Sequence, residues 1–181
     1  MFYYIYRIPL PITVIIIAAA VVGWALIMRF SARRGAAAVR AINIILVFIA
    51  LGGILYITLH HRLPGQRELI LMPFHSFIEA KAEREMYREM LMNLFLFVPL
   101  GVTMPFALLK NGVPASSQRL KNILVTVAFA LILSLAIESI QYFFALGRAE
   151  TDDVICNTSG ALAGILSFAI YSACGKRNND H

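Results

Sequence analysis

The sequence is poor in charge. Asp, Glu, Lys and Arg make up 14% of its 181 residues, against 60% hydrophobic, and the mean hydropathy is +0.75. A water-soluble domain of this length does not carry several long apolar runs, so the chain is read as an integral membrane protein. Alternation of polar and apolar residues is absent from the runs, which excludes a barrel and leaves helices, because unpaired backbone cannot face lipid. Cysteine is scarce, at two. On one helix Cys156 and Cys174 would stand roughly 27 Å apart, too far for a disulfide. CxxC, HExxH and a glycine-rich phosphate loop are missing. His60, His61 and His75, with Glu79 a turn beyond, do not have converging ligand spacing, so neither a metal nor a cofactor is expected. Ser134, Ser139 and Ser159 have no histidine nearby, so a hydrolase triad has no support.

What is present is a series of apolar segments. They run from about Leu10 to Arg29, Ala41 to Leu59, Met90 to Leu109, Ile123 to Leu146 and Val154 to Ala173. The expected architecture is therefore an all-α, polytopic transmembrane bundle of five spans. Residues 1–40 form a first span with a basic loop, 41–175 the main membrane domain, and 176–181 a short tail. The first run is too long for a signal-peptide core and is read as a retained helix. The net charge of +6 does not mark a nucleic-acid binder. Arg29, Arg33, Arg34 and Arg40, then Lys110, Arg119 and Lys121, then Lys176 and Arg177, sit in alternate loops. The bias toward one side places the N-terminus outside and the C-terminus inside a bacterial cytoplasmic membrane.

Individual residues refine this picture. Gly52-Gly53 permits close helix contact or a bend. Pro99 and Pro105 predict a kinked third segment. Ser76 and Glu79 fit a capping box ahead of a charged surface helix over Ile78–Tyr87. Leu69–Pro73 is an apolar piece that a re-entrant segment would also explain.

The chemistry concentrates around the last two segments. Glu138 and Gln141 share a helix face, with Ser134 one turn earlier. Gly147-Arg148 follows, then Asp152-Asp153, then Asn157, Gly160 and Gly164. A carboxylate inside an apolar segment needs a partner or a purpose. Asp152 and Asp153 suit a helix start, where they cap N–H groups and complement the dipole. Small residues at 160 and 164 admit a neighbouring helix. Glu138, Gln141, Arg148, Asp152 and Asp153 are the candidate ligand-binding residues, with Glu138 and Asp153 the candidates for acid–base work. Asn93, Pro99, Gly101, Asn157, Gly160 and Gly164 are read as support.

Read in order, Asn93, Phe97-Val98-Pro99-Leu100-Gly101, Glu138-Ser139-Ile140-Gln141, Gly147-Arg148, Asp152-Asp153 and Asn157-Thr158-Ser159-Gly160-Ala161 resemble the VanZ-like family of small bacterial membrane proteins. The resemblance covers roughly residues 56–170, and Pro73-Phe74 meets the upstream signal. The asparagine usual ahead of that signal is missing, and Cys156 replaces an aliphatic residue. The resemblance implies an accessory part in resistance to the lipoglycopeptide teicoplanin, separate from the enzymes that remodel peptidoglycan precursors. The leading expectation is a protein that binds an envelope amphiphile (a lipid, a lipid-linked precursor or a lipoglycopeptide) in a polar pocket facing the outer leaflet. A membrane enzyme acting on a lipid-linked headgroup, a proton-coupled transporter or flippase, and a scaffold for envelope proteins are the alternatives.

Overall fold

A computed structural model of the chain describes residues 15, 22–27, 35–60, 65, 67–79, 84–109 and 116–177, with the side chains of 77, 79, 84, 85 and 173–177 left out. Most of the first apolar segment, the loop carrying Arg29, Arg33 and Arg34, His61, Arg62, residues 80–83, Lys110 and the last four residues lie outside that description. The elements, in order, are α1 (Ala36–Leu55) with a π-helical turn (Tyr56–His60), β1 (Glu68–Ile70), α2 (His75–Glu79), α3 (Arg84–Ala107), α4 (Ser116–Phe143), β2 (Arg148–Glu150) and α5 (Thr151–Arg177).

Four stretches are long and apolar enough to cross a membrane: Ala36–His60, Met86–Ala107, Ser116–Phe143 and Thr151–Ser172. The shortest, at 22 residues, reaches about 33 Å, enough for a hydrocarbon core of about 30 Å. The described residues therefore hold four candidate spans where the sequence reading has five. Of the first apolar segment, residues 22–27 are helical. There Trp24 donates its indole N–H to Asn43 (3.3 Å) and packs edge-on against Phe106.

The helices are inverted relative to a water-soluble bundle. On α4 the buried residues are Asn122, Thr126, Ala130, Ser134, Ile137, Glu138 and Gln141. Leu124, Val125, Leu131, Ile132 and Leu135 face outward. On α1 the outward face is Ile44, Ile45, Phe48 and Ile49, while Asn43 is buried. Lipid accepts the apolar faces, and several inward polar groups find partners between the helices. Asn122 donates to the Pro105 carbonyl (3.1 Å), Asn157 to Ser134 (2.9 Å) and Gln141 to the Thr58 carbonyl (3.2 Å).

Glycine sets the closest contact. A Cβ on Gly160 would strike the Leu94 carbonyl; one on Gly164 would strike the Val98 carbonyl and the Val102 nitrogen. A Cβ on Gly101 would strike the Ala161 backbone. Positions 94 and 98 advance with 160 and 164, so α3 and α5 run parallel with their backbones touching. Both helices consequently begin at the same end of the bundle. Phe97, Leu100, Ile137, Ala161 and Ile54 fill one core cluster, and Val39, Phe106, Leu109 and Phe168 fill another. Among the described residues, a Cβ on Gly52 or Gly53 would meet nothing within 4 Å, so of the two expectations for this pair, a close helix contact or a bend, the contact is not made there.

Of the charged helix expected over Ile78–Tyr87, residues 78 and 79 belong to α2 and residues 84–87 to α3, while residues 80–83 lie outside the described residues. Met86 and Met90 are buried, while Ile78 and Tyr87 are exposed. The all-α expectation also needs amendment. Glu68–Ile70, the start of the apolar piece before Pro73, pairs in parallel with Arg148–Glu150, with Glu68 opposite Arg148 and Ile70 opposite Glu150. Helix α3 continues through Pro99 and Pro105, with Pro99 on its exposed side.

Helix α4 ends in a Schellman-type cap. The Leu146 N–H bonds the Gln141 carbonyl (2.8 Å), with Ala145 at φ 54 where glycine is usual. A Cβ in that left-handed region costs about 1 kcal/mol. Ala145→Gly is expected to raise stability by up to about that much, read as a later midpoint in detergent-induced unfolding.

Candidate functional site

The candidate residues gather where α3 and α5 begin. There the chain crosses the end of the bundle twice, once through β1 and α2 and once through β2. Asp152 and Asp153 occupy the first turn of α5, where the N-terminal partial charge favours carboxylates. Asp152 is buried, at 1% exposure, and works for a different helix. Its two oxygens accept the N–H groups of Phe74 (2.6 Å) and Ser76 (2.7 Å), the start of α2. The expected Ser76/Glu79 capping box is thus replaced. An aspartate distant in sequence caps α2, and Ser76 directs its hydroxyl elsewhere.

That hydroxyl donates to Glu150 Oε2 (2.7 Å). Glu150 Oε1 pairs with Arg148 Nε (2.9 Å), and the Glu150 N–H donates to Glu138 Oε2 (3.0 Å). Ser76 is therefore a hub, giving its N–H to Asp152 and its O–H to Glu150. Glu138, Glu150 and Asp152 are all buried. Buried carboxylates persist when donors surround them, and charge-assisted hydrogen bonds of this kind are the strong ones. The Arg148 side chain is 35% exposed, and its Nη2 reaches the Met86 sulfur at 3.8 Å. A backbone link closes the arrangement: Gly65 donates to the Ala145 carbonyl (2.7 Å), two residues before Gly147 at φ 138.

The other candidates spread along the helices. Gln141 sits on the inward face of α4 and reaches the π-helical turn of α1, with its Oε1 buried and unbonded among the described residues. Asn157 lies deeper, bonded to Ser134, and its Oδ1 is likewise buried and unbonded. Asp153 is half-buried beside Asp152, and Asn93 is half-buried on α3 next to the glycine contact. No group of three or more metal-ligating side chains converges among the described residues.

A family model described as VanZ/LLP1 matches residues 44–172. The chain belongs to the VanZ/LLP1 family. Every residue of the cluster falls inside the matched segment, and Trp24 lies ahead of it. Protein VanZ of Enterococcus faecium is 33% identical over 114 residues, which cover 63% of this chain and 58% of that protein. The chain thus spans less than two thirds of the length of the relative it matches. No solved structure matches it.

Sequence reasoning omitted two residues of the cluster, Glu150 and Ser76, from the candidate set. Glu150 had a signal: it stands two residues from Arg148, the spacing that puts two side chains on one face of a strand. Ser76 had no comparable signal, since the capping-box spacing assigned its hydroxyl to its own helix.

Proposed function

We propose that this VanZ/LLP1 membrane protein binds the anionic headgroup of an envelope amphiphile at Arg148. The carrying observation is the guanidinium itself: Glu150 orients its Nε while about a third of the side chain is accessible at the surface. A cation oriented by a buried carboxylate, at the end of apolar helices, suits a phosphate or carboxylate presented by a lipid-linked molecule. Glu138, Asp152 and Asp153 would form the floor that keeps β2 in place, and Gln141 a side wall. In this reading residues 10–29 supply a fifth span, the cluster faces outward and the C-terminus lies inside. The same headgroup site would let the protein engage a lipid-linked precursor or a lipoglycopeptide such as teicoplanin. Binding is favoured over acid–base catalysis because Asp152 already accepts two N–H groups and Glu138 accepts one, both from buried positions.

Native mass spectrometry from lipid discs containing a polyprenyl diphosphate lipid tests this reading. The parent protein is expected to retain that lipid. Arg148→Ala should lose about one to two orders of magnitude in affinity, the equivalent of one charge-assisted hydrogen bond of roughly 1.5–3 kcal/mol. Glu138→Gln should keep the lipid, because its amide oxygen still accepts the Glu150 N–H. Equal retention of bulk lipid by parent and Arg148→Ala would instead assign the cluster to fold support.

A further inference from the structure

We infer that residues 71–74 form a membrane-inserting loop that enters the acyl layer at the end of the bundle where α3 and α5 begin. Leu71, Met72 and Phe74 are 68%, 59% and 58% exposed, and Pro73 between them is exposed as well. Four consecutive apolar residues outside any spanning helix are thus turned away from the protein. They are also held there. The Asp152 carboxylate fixes the N–H groups of Phe74 and Ser76, and Phe74 takes φ 66, a turn that L side chains rarely adopt. Ile78 extends the apolar surface at 58% exposure.

The neighbourhood identifies the occupant. Phe143, the last residue of the spanning helix α4, and Phe144 after it are 68% and 66% exposed. Arg67, at the foot of the strand that leads into the loop, donates to the Phe143 carbonyl at 2.9 Å. The apolar residues are as exposed as Phe48, Ile49 and Ile132 on the spanning helices, at 69%, 64% and 66%. Charge stops at Arg67 and Glu68, both exposed, and from Leu69 to Phe74 none occurs. That is the ordering of a segment that crosses from headgroup to acyl chain. The surface is continuous with the faces of helices built for lipid, and the occupant is the leaflet itself. This inference does not depend on Arg148 as a headgroup site.

Tryptophan fluorescence decides it, because the chain has one tryptophan. In a Trp24→Phe background, Phe74→Trp and Leu71→Trp are placed in phosphatidylglycerol–phosphatidylcholine vesicles whose acyl chains are brominated near the headgroup. Both are expected to emit to the blue and to be quenched about as strongly as Phe143→Trp at the end of α4, and more strongly than Phe48→Trp at the middle of its span. Glu68→Trp is expected to respond to aqueous iodide instead. Iodide quenching of positions 71 and 74 would overturn the inference, as would protection from both quenchers, which means cover by protein. Bromine quenching at 68 equal to that at 74 would also overturn it, by exposing the probe's own preference for the interface. Leu71→Trp decides alone if Phe74→Trp fails to fold.

Discussion

Asp152→Ala is expected to release residues 71–79 while the spanning helices stay folded. The carboxylate accepts two N–H groups, at 2.6 and 2.7 Å, from a site with 1% exposure. Leaving two such donors without acceptors costs about 2–4 kcal/mol. The loss is local, because Phe97, Leu100, Ile137 and Ala161 hold the helices together through an apolar core of their own. Asp152→Asn should do almost as badly. Its amide offers one acceptor, and its NH2 faces a second donor. Hydrogen exchange followed by mass spectrometry reads the result directly. The peptide spanning 71–79 should exchange roughly a hundredfold faster in both variants, the equivalent of about 2.7 kcal/mol, with the α3 and α5 peptides unchanged. Exchange at the parent rate would mean that the pairing of β1 with β2 holds the loop unaided.

The clamp also shows where sequence reasoning runs out. The spanning segments were legible because length and apolarity over twenty residues leave few alternatives in lipid. Boundaries shifted where polar residues turn inward: α4 starts at Ser116 rather than near Ile123, since Asn122 is buried against Pro105. The cluster was half legible. Glu138, Arg148 and Asp152 stand out as charges beside apolar runs, and the structure brings them to one end of the bundle. Their connections do not stand out. Strand β1 has three residues and its partner lies eighty positions later, so no periodicity can form. Asp152 looked like a cap for its own helix because local spacing is all that a sequence displays. Its true partners, Phe74 and Ser76, are neighbours only after α3 and α5 align.

That alignment rests on glycine, and replacing Gly160 or Gly164 by Val is expected to have the largest effect of any single change discussed here. At both positions a Cβ would collide with the backbone of α3, which cannot rotate aside as a side chain can. Overpacking of this kind costs about 3 kcal/mol or more. The variants should be poorly recovered as monodisperse protein on size exclusion and should unfold at much lower denaturing-detergent fractions. Gly52→Ala is the matched control. Its Cβ meets nothing within 4 Å, and alanine is the better helix former by roughly 0.5–1 kcal/mol, so this variant should be neutral or slightly more stable. Gly160→Ala carries the argument to the site. Its single methyl forces α5 away from α3, and Asp152, in the first turn of the same helix about two turns before Gly160, moves with it. The peptide spanning 71–79 should then exchange faster even in protein that still elutes as a single species. A Gly160→Ala variant that is destabilised while keeping parent-like protection at 71–79 would separate the helix seam from the clamp and refute their coupling.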